Sequence, residues 1–497
     1  MPGDAKIGGD LVARIRDSLA SAKGVALQSA SHVLDWRCVA SHVAAIDEGL
    51  TAKGIPPDST VAVMGRNNIE TALILLGVVA SGRCAAIINP FRAAPTVLQT
   101  ARAHAPVAVL LSECDPVLEA ATDTDPVLVV SDDGRLISRG YGSGKISAHS
   151  NEPRAGIVIS TSGTTGEPKP FHLALPVLSR AIREIEAMHD GFGDRARPDG
   201  SWPALIQYSP LSHIGGALTL FRAIAQGRAT AVLGKFEPEV WAQMVEQWQL
   251  FTTGLPPSMM RMVLKADIQP SRLSSLVSVW SGTAPLRPED RQAFIQRYGL
   301  PVLGNYGATE FCGAIAAWSL DDFRQYYSTR SGAVGRIHPS VAQARVRSPE
   351  GELIDDEGAV GILEFKVGRI GNSWIQTSDV GSVDAEGFLT LHGRTDDAII
   401  RGGFKLSPRT IADTLRQHPA VRDAAVVGIA HERLGQVPVA VVEMEDGTCL
   451  DSEELQAFVR SRLPAYFVPA QVRATASLPR NATMKVDRRA IGAMFEQ

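Results

Sequence analysis

The 497-residue chain is short of cysteine, and what it has is scattered. Cys38, Cys84, Cys114, Cys312 and Cys449 lie far apart with no C-x-x-C pair. That argues against a disulfide framework or a zinc cage and fits a reducing compartment. Long hydrophobic runs are missing as well. The longest apolar stretch near the start, 71–80, is too short to span a bilayer. Met1-Pro2-Gly3-Asp4-Ala5-Lys6 opens no signal-peptide hydrophobic region, so a cytoplasmic protein is expected. Neither sign of charge dominates: 49 basic against 53 acidic residues leave a net −4, which points to no nucleic-acid or membrane-surface partner. There is no Walker Gly-Lys-Ser/Thr at the required spacing. His431-Glu432-Arg433-Leu434-Gly435 begins like a zinc-protease helix but lacks the second histidine, so it cannot chelate zinc in that way. No internal repeat or low-complexity tract stands out.

Apolar residues make up 45%, enough for sizeable cores, and the length suggests two to four structural units. Segments rich in β-branched residues alternate with longer helical patterns, the mark of α/β layering. Strands are expected near 61–65, 85–90, 107–111 and 127–130, with an apolar helix starting at Asn67-Asn68 and running through Val79. A second series falls at 156–160, 204–207, 230–233, 276–280 and 302–306. After about 330 the texture changes to short strands and glycine turns, as at 361–366. The last hundred residues have their own strand (424–429) and helix (453–463) signals and suit a small α+β domain.

The chemistry begins at the loop after strand 156–160: Thr161-Ser162-Gly163-Thr164-Thr165-Gly166-Glu167-Pro168-Lys169. A polyphosphate needs close backbone N–H donors and little side-chain bulk, which Gly163 and Gly166 allow. Ser162, Thr164 and Thr165 add hydroxyl donors, and Lys169 adds positive charge. Such a composition can also be an ordinary surface turn; its place after a buried strand and its Pro-Lys ending favour phosphate. Further along stand Ser281-Gly282-Thr283-Ala284-Pro285-Leu286, Asn305-Tyr306-Gly307-Ala308-Thr309-Glu310, Trp374-Ile375-Gln376-Thr377-Ser378-Asp379, Gly393-Arg394, and Lys485 within 479–488.

In order and approximate spacing these motifs resemble the adenylate-forming superfamily of acyl-CoA synthetases, peptide-synthetase adenylation domains and luciferases. The resemblance extends over nearly the whole chain and is strongest to the acyl-CoA and aryl-CoA synthetase branch. It implies an α/β fold: a large N-terminal domain (1–395) of two doubly wound subdomains plus a small β-barrel-like unit, and a small mobile α+β domain (396–497) turning about a hinge at Asp396. It also implies that ATP is held by the loop from Thr161 to Lys169, by Gly282, Thr283, Ala284 and Pro285, and by Asn305, Tyr306, Gly307, Ala308 and Thr309. Thr309 would donate to the α-phosphate. Thr165 and Glu310 would serve Mg²⁺, a hard cation that favours oxygen ligands.

Asp379 would accept from the ribose hydroxyls, with Arg394 helping at the sugar or phosphate. Lys485 would stabilise the charge that gathers as a carboxylate attacks the α-phosphate. In the second conformation the loop Arg401-Gly402-Gly403-Phe404-Lys405 would pass coenzyme A. For the acid, the resemblance places His213 as a catalytic residue lining the acyl site, and Gly215, Gly216, Ala217, Phe311, Cys312 and Gly313 suggest a mostly apolar pocket.

Three positions depart from the pattern. Ser378 and Met484 stand where the family usually has glycine, and Pro408-Arg409-Thr410-Ile411 lacks its acidic residue. The expected activity is a carboxylate–CoA ligase of fatty, aryl or alicyclic acids, working as a monomer or homodimer. Transfer to a carrier-protein phosphopantetheine or an amine is the first alternative, and a non-catalytic binding protein of the same fold is the second.

Overall fold

The computed structural model describes residues 4–29, 31–90, 94–104, 106–122, 125–139, 155–161, 169–197, 200–395, 398–401, 404–445, 447–448, 451–481 and 484–495. By compactness the chain forms two units, one of residues 1–342 and 367–373, the other of 343–366 and 374–497. The expected boundary at 395/396 falls inside the second unit.

The first unit contains a seven-stranded sheet in the order Leu136–Arg139, Val127–Val130, Ala108–Ser112, Thr60–Met64, Cys84–Ile88, Gly156–Thr161, Lys169–Ala174. The inner five strands run parallel, and both edge strands are antiparallel. Parallel strands covered on both faces need continuous apolar runs, and Cys84–Ile88 is buried at every position. Between the first two strands in sequence lies the helix Ile69–Ala80. Asn68 caps it by accepting from the Thr71 N–H at 3.0 Å. The helix is apolar almost all round and is buried accordingly. At Gly77 there is no room for a side chain, because a Cβ would lie 2.7 Å from Ile46 Cγ2 on the helix Trp36–Ala52.

The second series of expected strands divides among three sheets: its first member, Gly156–Thr161, joins the seven-stranded sheet, and the others fall in two more. Leu205–Gln207, Thr230–Val232, Val25–Gln28 and Val33–Asp35 form one. Thr252–Gly254, Ser278–Ser281 and Val302–Ala308 run parallel in another and continue antiparallel into Gly313–Ala317 and Gly335–Ile337. The cause is a long-range pairing. Val25–Gln28 takes the flank of Thr230–Val232, with Leu27 opposite Thr230, and no local periodicity encodes that.

In the second unit, Phe388–Arg394, Trp374–Val383, Gly361–Val367, Ala342–Arg347 and Leu353–Ile354 lie side by side. A separate sheet there pairs Val421–His431 with Gly435–Met444, with Gln471–Thr475 parallel beyond. The helix Ser452–Arg460 opens with a reciprocal cap between Asp451 and Glu454. His431 closes a strand rather than opening a helix, a second reason it is no zinc-protease motif. Among the described residues no helix is long and apolar enough to cross a membrane.

Candidate functional site

The strand Val302–Ala308 begins buried and emerges into a partly exposed end at Asn305, Tyr306 and Gly307. It turns through the short 3-10 segment Thr309–Phe311 and returns antiparallel as Gly313–Ala317. Thr309 and Glu310 therefore sit at the tip of a hairpin. The neck is tight: a Cβ on Gly307 would overlap Gly313 O, so glycine is required there. Cys312 closes the turn in the left-handed conformation (φ 55°), with its N–H donating to Thr309 O at 2.9 Å.

Two other motifs meet this hairpin. At Gly282 a Cβ would overlap Asn305 Oδ1, so that glycine lets the 281–286 loop and the strand end share space. Thr283, next in the loop, is a β-branched residue at φ 69°, a conformation such residues avoid. Gly313 lies against Leu218 of the helix Ile214–Ala225, which starts immediately after His213. His213 is the partly exposed N-cap residue of that helix. A Cβ on Gly216 would overlap Pro210 O, whereas Gly215 faces open space. Phe311 and Cys312, expected to line an acyl pocket, are both fully buried. The Phe311 ring centroid is 6.3 Å from that of Tyr306, and burial pushes the Cys312 thiol up to about 12.

Sequence reasoning missed two features of this unit. The first is Arg369, whose side chain is fully buried. Its Nε donates to Phe311 O at 2.7 Å and its Nη2 to Ala314 O at 2.8 Å, while Nη1 pairs with Glu184. Nothing in Gly368-Arg369-Ile370-Gly371 signals this, because the partners lie far away in sequence. The second is a buried ionic cluster. Asp194 accepts from Arg222 Nη1 at 3.0 Å and from Arg228 Nη1 and Nη2 at 2.8 and 3.0 Å. His189 Nδ1 stands 3.5 Å from the same carboxylate. Burial alone would raise the Asp194 carboxyl; the His189 imidazole and the Arg228 and Arg222 charges outweigh it and hold it well below the usual carboxylate range. His189 is pushed down to about 4, by burial first and by the Arg222 charge second.

Asp379, Arg394 and Lys485 belong to the second unit. Asp379 on Trp374–Val383 lies directly opposite Arg394 on Phe388–Arg394, with carboxylate and guanidinium 3.7 Å apart. Ser378, in the family's glycine position, is put to use: its hydroxyl accepts from Arg394 Nε at 3.0 Å. Thr377 Oγ1 bonds Leu363 O at 2.9 Å and accepts from the Asp379 N–H at 3.1 Å, which anchors the aspartate's backbone. Lys485 is exposed on a turn held by Asn481, which donates to Lys485 O at 2.8 Å and accepts from Lys485 N–H at 3.1 Å. Met484, the other glycine replacement, has φ 61°. The position thus demands the conformation that glycine adopts freely. Of the six non-glycine residues at positive φ among the described residues, Thr283, Cys312 and Met484 fall in or beside the motifs. Strain of that kind concentrates at functional sites.

Several candidates lie outside the described residues: Ser162, Gly163, Thr164, Thr165 and Gly166 of the expected phosphate loop, the expected hinge residue Asp396, and Gly402 and Gly403. For Thr161, Lys169, Phe404 and Lys405 only the backbone is described. Thr161 pairs with Lys169 across an antiparallel edge, which brings the two ends of the intervening 162–168 segment together, and Arg401 pairs with Phe404. Ala284 and Pro285 follow Thr283 in the loop beyond Ser278–Ser281. Among the described residues no group of three or more His, Cys, Asp or Glu could hold a metal ion.

Comparison with known proteins gives consistent relatives. The family model described as AMP-binding enzyme matches residues 20–367, and that of the AMP-binding enzyme C-terminal domain matches 410–485. Sulfoacetate–CoA ligase of Cupriavidus necator is 27% identical over 487 residues, 92% of each chain. 2-Succinylbenzoate–CoA ligase of Bacillus cytotoxicus is 31% identical over 355 residues, 68% of this chain and 70% of that one. Among solved structures, the amide bond synthetase McbA from Marinactinospora thermotolerans superposes with a TM-score of 0.77 at 26% identity, covering 98% of this chain and 99% of that one.

Proposed function

Because this chain belongs to the family of AMP-binding enzymes, we propose that it joins an aryl, alicyclic or fatty carboxylic acid to coenzyme A through an acyl-adenylate. The observation that carries the reading is the hairpin tip. Thr309 and Glu310 stand at the end of a buried strand, with Asn305 seated on Gly282 of the neighbouring loop.

In the first half-reaction a substrate carboxylate oxygen attacks the α-phosphorus of ATP. A new P–O bond forms, the bond to the β-phosphate bridging oxygen breaks, and pyrophosphate leaves with the electron pair. The phosphate loop cradles the polyphosphate, Thr309 donates to the α-phosphate, and Asp379 accepts from the ribose hydroxyls. Lys485 supplies the cation that offsets the charge gathering at the reacting oxygens. In the second half-reaction a thiolate attacks the acyl carbon, a C–S bond forms, and AMP departs. His213 and the open face of Gly215 border the acid, and the loop 401–405 admits the pantetheine arm. A hinge at Asp396, between 1–395 and 396–497, belongs to the same proposal.

Magnesium fits the donor set. Glu310 offers a partly exposed carboxylate, and no other acidic cluster forms a protein cage among the described residues. That suits a small ion held by one or two carboxylates and by substrate phosphates. Bound there, the ion would neutralise phosphate charge, and Thr165 and Glu310 would hold it.

A second reading has its own support: likeness to an amide bond synthetase over 98% of the chain favours an amine as acceptor. One experiment separates the readings. Pyrophosphate release is followed across a panel of aryl, alicyclic, fatty, succinylated and sulfonated acids, each with CoA, with a set of amines, or with neither. Thioester appearing only with CoA supports the ligase. Amide formation without CoA supports the second reading, and silence across the panel sinks both.

A further inference from the structure

We propose that Arg369 is a positioning residue for adenylation, its buried guanidinium setting the turn that presents Thr309 and Glu310. The inference rests on the reading above, in which those two residues serve ATP.

The guanidinium has three directions of donation, and all three are used. Two go to backbone carbonyls, one at the end of the turn, Phe311 O at 2.7 Å, and one on the returning strand, Ala314 O at 2.8 Å. The third meets Glu184 on the helix Leu175–Gly191. The other oxygen of Glu184 accepts from Arg180 Nε at 3.0 Å, and Arg180 Nη1 returns to Gly368 O at 3.0 Å. Arg369 is thereby gripped through its side chain and through the backbone beside it, both against one helix. That helix serves as the fixed wall, and the hairpin tip is hung from it.

The turn needs such a hold. Cys312 at φ 55° is in a conformation that costs an L-residue about 1–2 kcal/mol, so the tip has a local incentive to relax. A planar fork can reach two carbonyls and a carboxylate at once, whereas an ammonium on the same stem cannot keep all three directions. A shift of the tip moves the Thr309 hydroxyl and the Glu310 carboxylate together. Adenylation and magnesium use should suffer, while thioester formation from ready-made acyl-AMP should not. A role confined to holding the fold would lower both half-reactions alike.

The test uses full-length Arg369→Lys and Glu184→Gln, with three measurements on each. These are the kcat of pyrophosphate release, thioester formation from supplied acyl-AMP and CoA, and the Mg²⁺ dependence of ATP affinity by calorimetry without acid. Supporting groups of this kind typically shift affinity or rate by roughly 10- to 100-fold. Arg369→Lys should lower kcat by that factor, raise the Mg²⁺ concentration needed for half-maximal ATP affinity, and leave the second half-reaction at the wild-type rate. Glu184→Gln keeps a hydrogen-bond acceptor and should move both quantities the same way by less. It also decides the matter if Arg369→Lys does not fold. A wild-type Mg²⁺ dependence in the folded variants, or an equal loss in both half-reactions, overturns the proposal. Should the wild-type protein bind MgATP yet activate no acid, the ligase reading falls, and the calorimetric comparison still decides the role of Arg369.

Discussion

Replacing Asp194 by asparagine removes one negative charge and leaves the side chain's shape almost unchanged. The carboxylate is 3% exposed and receives three hydrogen bonds, from Arg222 at 3.0 Å and from Arg228 at 2.8 and 3.0 Å. Arg222 and Arg228 are themselves 3% and 2% exposed, so neither can turn to water once its partner is neutral. Breaking a buried ion pair by removing one partner costs about 3–5 kcal/mol, because the remaining charge stays desolvated. Two guanidinium groups share one carboxylate here, which puts the loss toward the upper part of that range. The loss is read by urea titration, and the calorimetric midpoint of thermal unfolding should fall by about 4–7 °C.

The same cluster makes a pH prediction. The ordinary histidine value is 6.5, and His189 in the fold sits at about 4. Below 6.5 the unfolded chain takes up a proton that the folded chain refuses. This contribution to stability is therefore complete above 6.5 and is lost as pH falls toward 4, by roughly 3 kcal/mol in all. His189→Phe should flatten that stretch of the stability–pH curve. An Asp194→Asn loss below about 1 kcal/mol, or a His189→Phe curve as steep as the wild type, would refute the reasoning.

Lys485→Ala should reduce acid-dependent pyrophosphate release by about 10²- to 10³-fold while still converting supplied acyl-AMP and CoA to thioester; unimpaired adenylation would remove Lys485 from its role. Met484→Gly relieves about 1–2 kcal/mol of left-handed strain and gives back about 0.4–1 kcal/mol through a freer unfolded chain. Denaturant titration should therefore show equal or slightly higher stability, and a clear loss would mean the Met484 side chain matters more than its φ of 61°. With thiol reagents and peptide mapping, exposed Cys38 and Cys114 should label in the native protein. Buried Cys84 and Cys312, both pushed up to about 12, should label only on unfolding. Rapid native labelling of Cys312 would mean that the hairpin opens.

Elements written in local pattern are legible in the amino-acid sequence alone. The helix expected from Asn67-Asn68 through Val79 is Ile69–Ala80 with Asn68 as its cap, and the strand expected at 127–130 is Val127–Val130. Continuous apolar runs and a capping amide are short-range signals, and they survive into the fold. The family of the chain is legible for a different reason: motif residues keep their order and spacing along the sequence. What stays hidden is long-range. The split of the second strand series needs Leu27 to find Thr230, and Arg369 acts on residues 55 to 58 positions before it. Met484 and Ser378 show the converse. As letters they are departures, whereas in the fold one takes up the glycine conformation and the other receives a hydrogen bond from Arg394.

The pairing of Val25–Gln28 with Thr230–Val232 also has a consequence for how the chain is made. On a ribosome adding roughly 5–20 residues per second, the partner strand emerges on the order of 10–40 s after the first. Throughout that interval one edge of Val25–Gln28 is open, and Ala26 and Leu27, fully buried in the finished molecule, have no lasting cover from that side. An unpaired apolar edge is a template for wrong partners. Chains interrupted before residue 230 should be the aggregation-prone species, which makes biosynthesis, rather than the mature enzyme, the point at which this sheet is most vulnerable.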